Sequence, residues 1–144
     1  MNDKKILEVR DLTTELRTPR GLLKAVDNIS FDVFKGRTLG IVGESGSGKS
    51  MTALSITRLV DADKSNIYGR VMLEDTNLLE LEDKAMQQVR GARIAMVFQN
   101  PMSALNPLFT IGNQIAEVLL LHKHMTPEEA HQEAIKLLDL VGMP

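Results

Sequence analysis

The segment Gly43-Glu44-Ser45-Gly46-Ser47-Gly48-Lys49-Ser50 constrains this chain more than any other stretch. It fits G-x-x-x-x-G-K-[S/T], the pattern of a glycine-rich loop that cradles phosphates. At ordinary residue frequencies, about 0.005 chance matches are expected in a chain of this length. The flanks carry the pattern beyond chance. Leu39-Gly40-Ile41-Val42 is an apolar run that reads as a buried strand, and Met51 to Val60 reads as a helix. Strand, loop and helix in that order are the context the motif needs.

Each residue type in the loop has a physical task. Gly43, Gly46 and Gly48 permit positive φ and let the backbone pass close to a polyphosphate with no Cβ in the way. Successive N–H groups then line a concavity suited to an anion. The helix opening near Gly48 adds unpaired N–H groups and the positive end of its dipole. In such a loop the Lys49 ammonium contacts the β and γ phosphates, and the Ser50 hydroxyl helps to hold Mg²⁺.

Bulk properties narrow the class. A chain of 144 residues suffices for one modest core, and 43% hydrophobic with 25% charged residues is ordinary for a globular protein. A formal charge of −2 offers no strong attraction to nucleic acid or to an anionic membrane. With 0 cysteines, a disulfide scaffold and a cysteine-ligated zinc site are excluded, and a reducing compartment is expected. The opening Met1-Asn2-Asp3-Lys4-Lys5 has no apolar run of signal-peptide length, and no window reaches the length of a membrane span. A cytoplasmic protein is the expectation.

Upstream of the loop, alternating residues in Ile6 to Leu16 predict a half-exposed strand. Thr18-Pro19-Arg20-Gly21 predicts a turn. Leu22 to Val26 resumes extended structure, and Ile29, Phe31 and Val33 mark another antiparallel strand. An antiparallel layer therefore precedes the phosphate loop, unlike a simple doubly wound fold. Downstream, Ile67 to Leu73 reads as a strand with Ile67, Val71 and Leu73 inward, and Glu80 to Arg90 as a polar surface helix. Arg93 to Phe98 is a near-continuous apolar run expected to form a buried parallel strand, stopped at Gln99-Asn100-Pro101. Met102 to Pro107 reads as a loop and Ile111 to His122 as an amphipathic helix. Thr126-Pro127-Glu128-Glu129 is a capping box with proline at the first helical position. Ala130, Ala134, Leu137, Leu138 and Val141 follow at helical spacing, with Gly142 placed to end the helix. His122, His124 and His131 read as solvated rather than as metal ligands.

Two longer segments carry a family resemblance. Gly40 to Ser50, and Ala95-Met96-Val97-Phe98-Gln99-Asn100-Pro101-Met102-Ser103-Ala104-Leu105-Asn106-Pro107, resemble the ATP-binding subunit of an ABC transporter. The likeness is strongest to the oligopeptide/dipeptide (and nickel) importer branch. Lys24-Ala25-Val26-Asp27, Arg90-Gly91 and Ile111-Gly112-Asn113-Gln114-Ile115 fit the same branch, so the resemblance covers essentially the whole chain. It implies an α/β fold: a P-loop NTPase core with an antiparallel β subdomain and a truncated helical subdomain. The core is expected over residues 1–99 and the incomplete helical part over residues 100–144. ATP with Mg²⁺ is the implied ligand, contacted by Gly43, Glu44, Ser45, Gly46, Ser47, Gly48, Lys49, Ser50 and Met51.

The resemblance further implies that Gln99 touches Mg²⁺ and the attacking water, and links the site to a membrane permease through the loop that follows. That amide can both donate and accept. Arg20 stands where many relatives place an aromatic residue against adenine, and its guanidinium could stack there or sit in water. Val26 could touch the base edge or be an ordinary core valine. Met102, Leu105, Leu108 and Phe109 could dock on the permease or fill the helical subdomain. A second ATP-binding subunit, identical or different, completes the implied assembly at the cytoplasmic face of the membrane.

The family's signature loop, its Walker B aspartate with the adjacent glutamate, and its switch histidine have no counterpart between Gly112 and Pro144. The expectation is the N-terminal part of a longer chain, cut inside its helical subdomain and without turnover by itself. A different type of P-loop protein, such as a kinase or GTPase, is the competing reading. The Gln99 region and the antiparallel layer count against it.

Overall fold

A computed structural model describes residues 4–143, the side chain of Ser103 excepted. The positions Met1 to Asp3 and Pro144, read above as the chain's start and end, lie outside the described residues. The chain forms two compact units, Met1–Met86 and Gln87–Pro144.

The first unit is built on an antiparallel sheet of order β2-β1-β3-β4. Its strands are β1 (Lys5–Thr18), β2 (Gly21–Phe34), β3 (Ser65–Leu73) and β4 (Thr76–Asn77). Helix α1 (Lys49–Ile56) lies between β2 and β3 in sequence, and α2 (Asp83–Val89) follows β4. The first two strands form a hairpin that closes at Thr18↔Gly21 around Pro19 and Arg20. The Thr18 hydroxyl accepts from the Arg20 amide at 3.2 Å and donates to the Gly21 carbonyl at 2.7 Å, fixing the turn.

Both long strands are bent by irregularities that local patterning hides. Asp11 (φ 51) and Asn28 (φ 49) adopt left-handed conformations inside β1 and β2. The β1–β2 register shifts between Val9 and Leu12. Val9 and Leu12, three apart in sequence, are therefore both fully buried, which strict two-residue alternation forbids. The bulge is matched on β3 by Gly69 (φ +103), where a Cβ would stand 2.6 Å from the Arg10 and Asp11 carbonyl oxygens. The same irregularity makes the predicted break between Leu22–Val26 and Ile29–Val33 disappear: one strand runs through Asn28.

The core of this unit gathers Val9, Leu12 and Thr14 from β1 with Val26 from β2 and Val71 and Leu73 from β3. Ile56, Leu78 and Met86 are buried as well. Ile67, expected inward, is only half-buried. The Arg58 guanidinium, just past α1, donates to the carbonyls of Leu78 and Leu81 and pairs with Asp83 at 3.1 Å. The predicted polar surface helix is shorter than expected, and it buries Met86 and Val89. A charged face did not prevent one apolar stripe from being covered.

Two expected buried strands are not buried. Leu39–Val42 belongs to no ladder among the described residues, and Val42 is 94% exposed. In Arg93–Phe98 the only bridge is Arg90↔Ile94, and Val97 is 88% exposed. Apolar composition marks a segment suited to a parallel sheet. The strand itself exists only when a neighbouring strand satisfies its backbone, and neither segment has one among the described residues.

The second unit holds a 3-10 turn (Pro101–Ala104), α3 (Ile111–Lys123) and α4 (Pro127–Leu140). Gln114 clamps the loop before α3: its Oε1 accepts from the Asn106 amide, and its Nε2 donates to the carbonyls of Asn106 and Phe109, all at 3.0 Å. The two helices pack as a hairpin in which Ala130 and Ala134 are buried. Val141, placed on the packing face by its spacing, is 71% exposed. His122 is half-buried rather than solvated; a Cβ on Gly91 would lie 3.0 Å from its Nε2.

The capping box of α4 forms as expected. The Thr126 hydroxyl accepts from the Glu129 amide at 3.3 Å, and the Thr126 amide donates to Glu129 Oε2 at 2.8 Å. These donors, the Thr126 amide first and its hydroxyl second, hold the Glu129 carboxyl below its ordinary value. Such a group stabilises the folded helix fully above the unfolded value of 4.5 and loses that contribution as pH falls through the lower folded value. Protection of the amides in the first turn of α4, measured against their intrinsic exchange rates, is therefore expected to fall on acidification below 4.5, more steeply than in Glu129→Gln. Identical acid profiles for the two proteins would remove the cap from the stability of α4.

Candidate phosphate-binding site

The loop from Gly43 to Ser50 leads into the N-terminus of α1, which begins at Lys49. Gly46 (φ +81) and Gly48 (φ +92) occupy the left-handed region. Gly43 does not, so its role is different from the one its type suggested. A Cβ there would stand 2.6 Å from Ser47 Oγ, a contact that a rotation of the Ser47 side chain would relieve. At Gly48 a Cβ would stand 2.4 Å from the Ala25 carbonyl oxygen, which seats the loop directly on β2. The turn is closed by Ser47 N–H donating to the Glu44 carbonyl at 3.2 Å.

Lys49 curls back over this turn. Its Nζ donates to the carbonyls of Gly43 at 2.7 Å and Glu44 at 2.6 Å, and to Ser47 Oγ at 3.3 Å. An ammonium has three N–H donors and no acceptor. The cation is thus fixed above the glycine turn at a helix N-terminus, where amide donors and helix dipole both favour an anion. Glu44, Ser45, Gly46 and Ser47 are exposed, as is Ser50, whose hydroxyl is open to a ligand's metal ion. Met51 is half-buried in the first turn of α1. A left-handed glycine turn at a helix N-terminus, with a cation held over it, fits a polyphosphate.

The remaining expected site residues are placed as follows. Arg20 sits exposed at the tip of the β1–β2 hairpin. Val26 is 5% exposed and faces Thr14 across the same hairpin, so it offers a base little surface. Gln99 is exposed in a bend of the second unit and does not terminate a paired strand. Met102, Leu108 and Phe109 are 73%, 86% and 59% exposed, so they do not fill the core of the helical unit. Among the described residues no cluster of His, Asp or Glu has the arrangement of a metal site.

Sequence reasoning missed the residues that seat α1. Thr14 and Ser55 are both 0% exposed, with their hydroxyls 2.7 Å apart. Thr52 Oγ1 donates to the Gly48 carbonyl at 3.0 Å. The signal was present in and just past α1, where Thr52, Ser55 and Thr57 take positions that an apolar stripe would normally occupy.

Comparison with known proteins agrees with this geometry. The family model described as ABC transporter matches residues 26–144. The dipeptide transport ATP-binding protein DppD of Bacillus subtilis is 45% identical over 141 residues, covering 97% of this chain and 42% of DppD. The oligopeptide transport ATP-binding protein OppD of the same organism is 43% identical, with 97% of this chain and 39% of OppD covered. The chain thus spans about two fifths of the length of these relatives. Among solved structures, the dimeric post-hydrolysis state of the ATP-binding cassette MJ0796 bound to ADP and Pi superposes with a TM-score of 0.79. It is 25% identical and matches 96% of this chain and 58% of that one.

Proposed function

This chain belongs to the ABC transporter family, and on that premise we propose that it is the phosphate-holding part of an ATP-binding subunit that serves a peptide importer. One observation carries the site: Lys49 Nζ is fixed over the Gly43 and Glu44 carbonyls, at a glycine turn in which Gly46 and Gly48 hold left-handed backbone. The N–H groups from Gly43 to Ser50 receive the β and γ phosphates of ATP, and Lys49 neutralises them. Ser50 would hold Mg²⁺, and Gln99 would offer its amide oxygen to the ion and orient water. ATP supplies a γ-phosphoryl group open to attack by that water. Arg20 stacks on the adenine, and Val26 supplies an apolar contact to the base edge.

The partners proposed are a second ATP-binding subunit and a membrane permease. The permease is met through the exposed apolar side chains of Met102, Leu105, Leu108 and Phe109. The subunit is peripheral at the cytoplasmic face, and among the described residues no helix is long and apolar enough to cross a membrane. Positioning and charge stabilisation carry phosphoryl transfer in this class. Residues 112–144 contain none of the family's signature, Walker B or switch-histidine groups that complete that positioning. The 144 residues are therefore proposed to bind Mg-ATP without turning it over.

Calorimetric titration with Mg-ATP tests the binding reading, and absence of saturable binding would overturn it. Phosphate release tests the second half. The purified chain is expected to show none above background, and release that disappears in Lys49→Ala would sink the claim of inactivity.

A further inference from the structure

The helix that continues the phosphate loop is held on the sheet by hydroxyl groups rather than by an apolar stripe. Thr52, Ser55 and Thr57 are buried on or just past α1, and Ile56 is the one buried apolar side chain among the helix's residues. Ser55 has a single hydroxyl proton, and its Oγ lies 2.6 Å from the Met51 carbonyl, to which it donates. Thr14, 2.7 Å away on the central strand, is then the donor to Ser55. A relay thus runs from β1 through Ser55 to a carbonyl in the first turn of α1. Linked hydroxyls of this kind polarise and strengthen one another in a buried setting.

A second anchor lies at the helix N-terminus, where Gly48 abuts the Ala25 carbonyl on β2. Ala25 is the chain neighbour of Val26, and Val26 is the cross-strand partner of Thr14. Both anchors therefore fall on one patch of the β1–β2 hairpin. Apolar burial is non-directional and would let a helix of 8 residues slide or rotate on the sheet. A hydrogen bond between two buried hydroxyls fixes both motions.

We infer that Thr14 and Ser55 are positioning residues for the phosphate site, holding the N-terminus of α1 and the Gly46–Ser50 amides in the orientation that receives a polyphosphate. This rests on the reading of the loop as a triphosphate site. Neither residue touches the ligand; both act through the helix.

The decisive variant is the double replacement Thr14→Val with Ser55→Ala. Exchanging both members of a buried hydrogen-bonded pair for apolar groups of similar shape is close to neutral for stability. The melting temperature is therefore expected to stay near that of the unmodified chain, while affinity for inorganic tripolyphosphate and for Mg-ATP falls about tenfold through misorientation. Amide exchange over residues 48–52 is expected to accelerate without any ligand. Thr14→Ser alone, which keeps both hydroxyls, should leave both readouts as in the unmodified chain. Unchanged tripolyphosphate affinity together with unchanged exchange would overturn the inference, as would a fall in affinity that only tracks a fall in melting temperature. Thr14→Val alone applies the same criteria should the double variant fail to fold. An unmodified chain that does not bind Mg-ATP would instead overturn the triphosphate reading, with the exchange measurement still deciding the positioning role.

Discussion

Lys49→Ala is expected to weaken Mg-ATP binding by about 10- to 100-fold, the equivalent of one charge-assisted hydrogen-bond set of roughly 1.5–3 kcal/mol. The lysine is already in place before any phosphate arrives, because Gly43, Glu44 and Ser47 hold its three N–H donors. A ligand therefore meets a cation whose side-chain entropy is largely spent, and the phosphate exchanges for the longest of these contacts, the 3.3 Å bond to Ser47. Alanine removes the cation and also leaves the Gly43 and Glu44 carbonyls facing the incoming anion. Calorimetric titration of the two proteins at one ionic strength checks the result. Equal affinities would remove Lys49 from the site. Lys49→Arg is expected to restore charge without full affinity, since a planar guanidinium does not reproduce a compact ammonium above a tight turn.

Gly48→Ala is expected to be the most damaging single methyl that can be added to the loop. The residue is in the left-handed region at φ +92, and its new Cβ would lie 2.4 Å from the Ala25 carbonyl oxygen, a backbone atom that cannot swing aside. The conformational term costs on the order of 1–2 kcal/mol, and relieving the overlap brings the total to about 3 kcal/mol or more. For a unit of this size that corresponds to a fall in melting temperature of roughly 10–20 °C. Gly46→Ala is the internal control. It has φ +81 but nothing within 4 Å of the added carbon, so only the conformational cost applies. Melting curves that place the two variants together would show that β2 does not brace the loop.

Much of this fold was written locally. The hairpin turn at Pro19-Arg20, the capping box at Thr126 and the phosphate loop itself all depend on residue types whose backbone preferences act over a few positions. Each was found within a residue or two of its expected place. The irregularities in β1 and β2 were not, because Asp11 and Asn28 gain their left-handed conformations from cross-strand geometry, including the gap that Gly69 leaves on β3. The burial of Met86 and the half-burial of His122 likewise depend on what packs nearby in the folded unit, which no window of sequence displays.

Leu39–Val42 and Arg93–Phe98 show the limit most plainly. Their apolar composition specified segments fit to be interior strands, yet Val42 and Val97 face outward at 94% and 88% exposure. A helix satisfies its own backbone, whereas a strand borrows its partners from elsewhere in the chain. The sequence by itself determined the loop proposed to cradle phosphate, because glycine conformations, a helix N-terminus and one lysine are local matters. Only the tertiary structure decided how that cradle is held. The Ala25 carbonyl meets Gly48, and the Thr14 hydroxyl meets Ser55 across 41 positions of chain, contacts that form only once the sheet has brought distant backbone together.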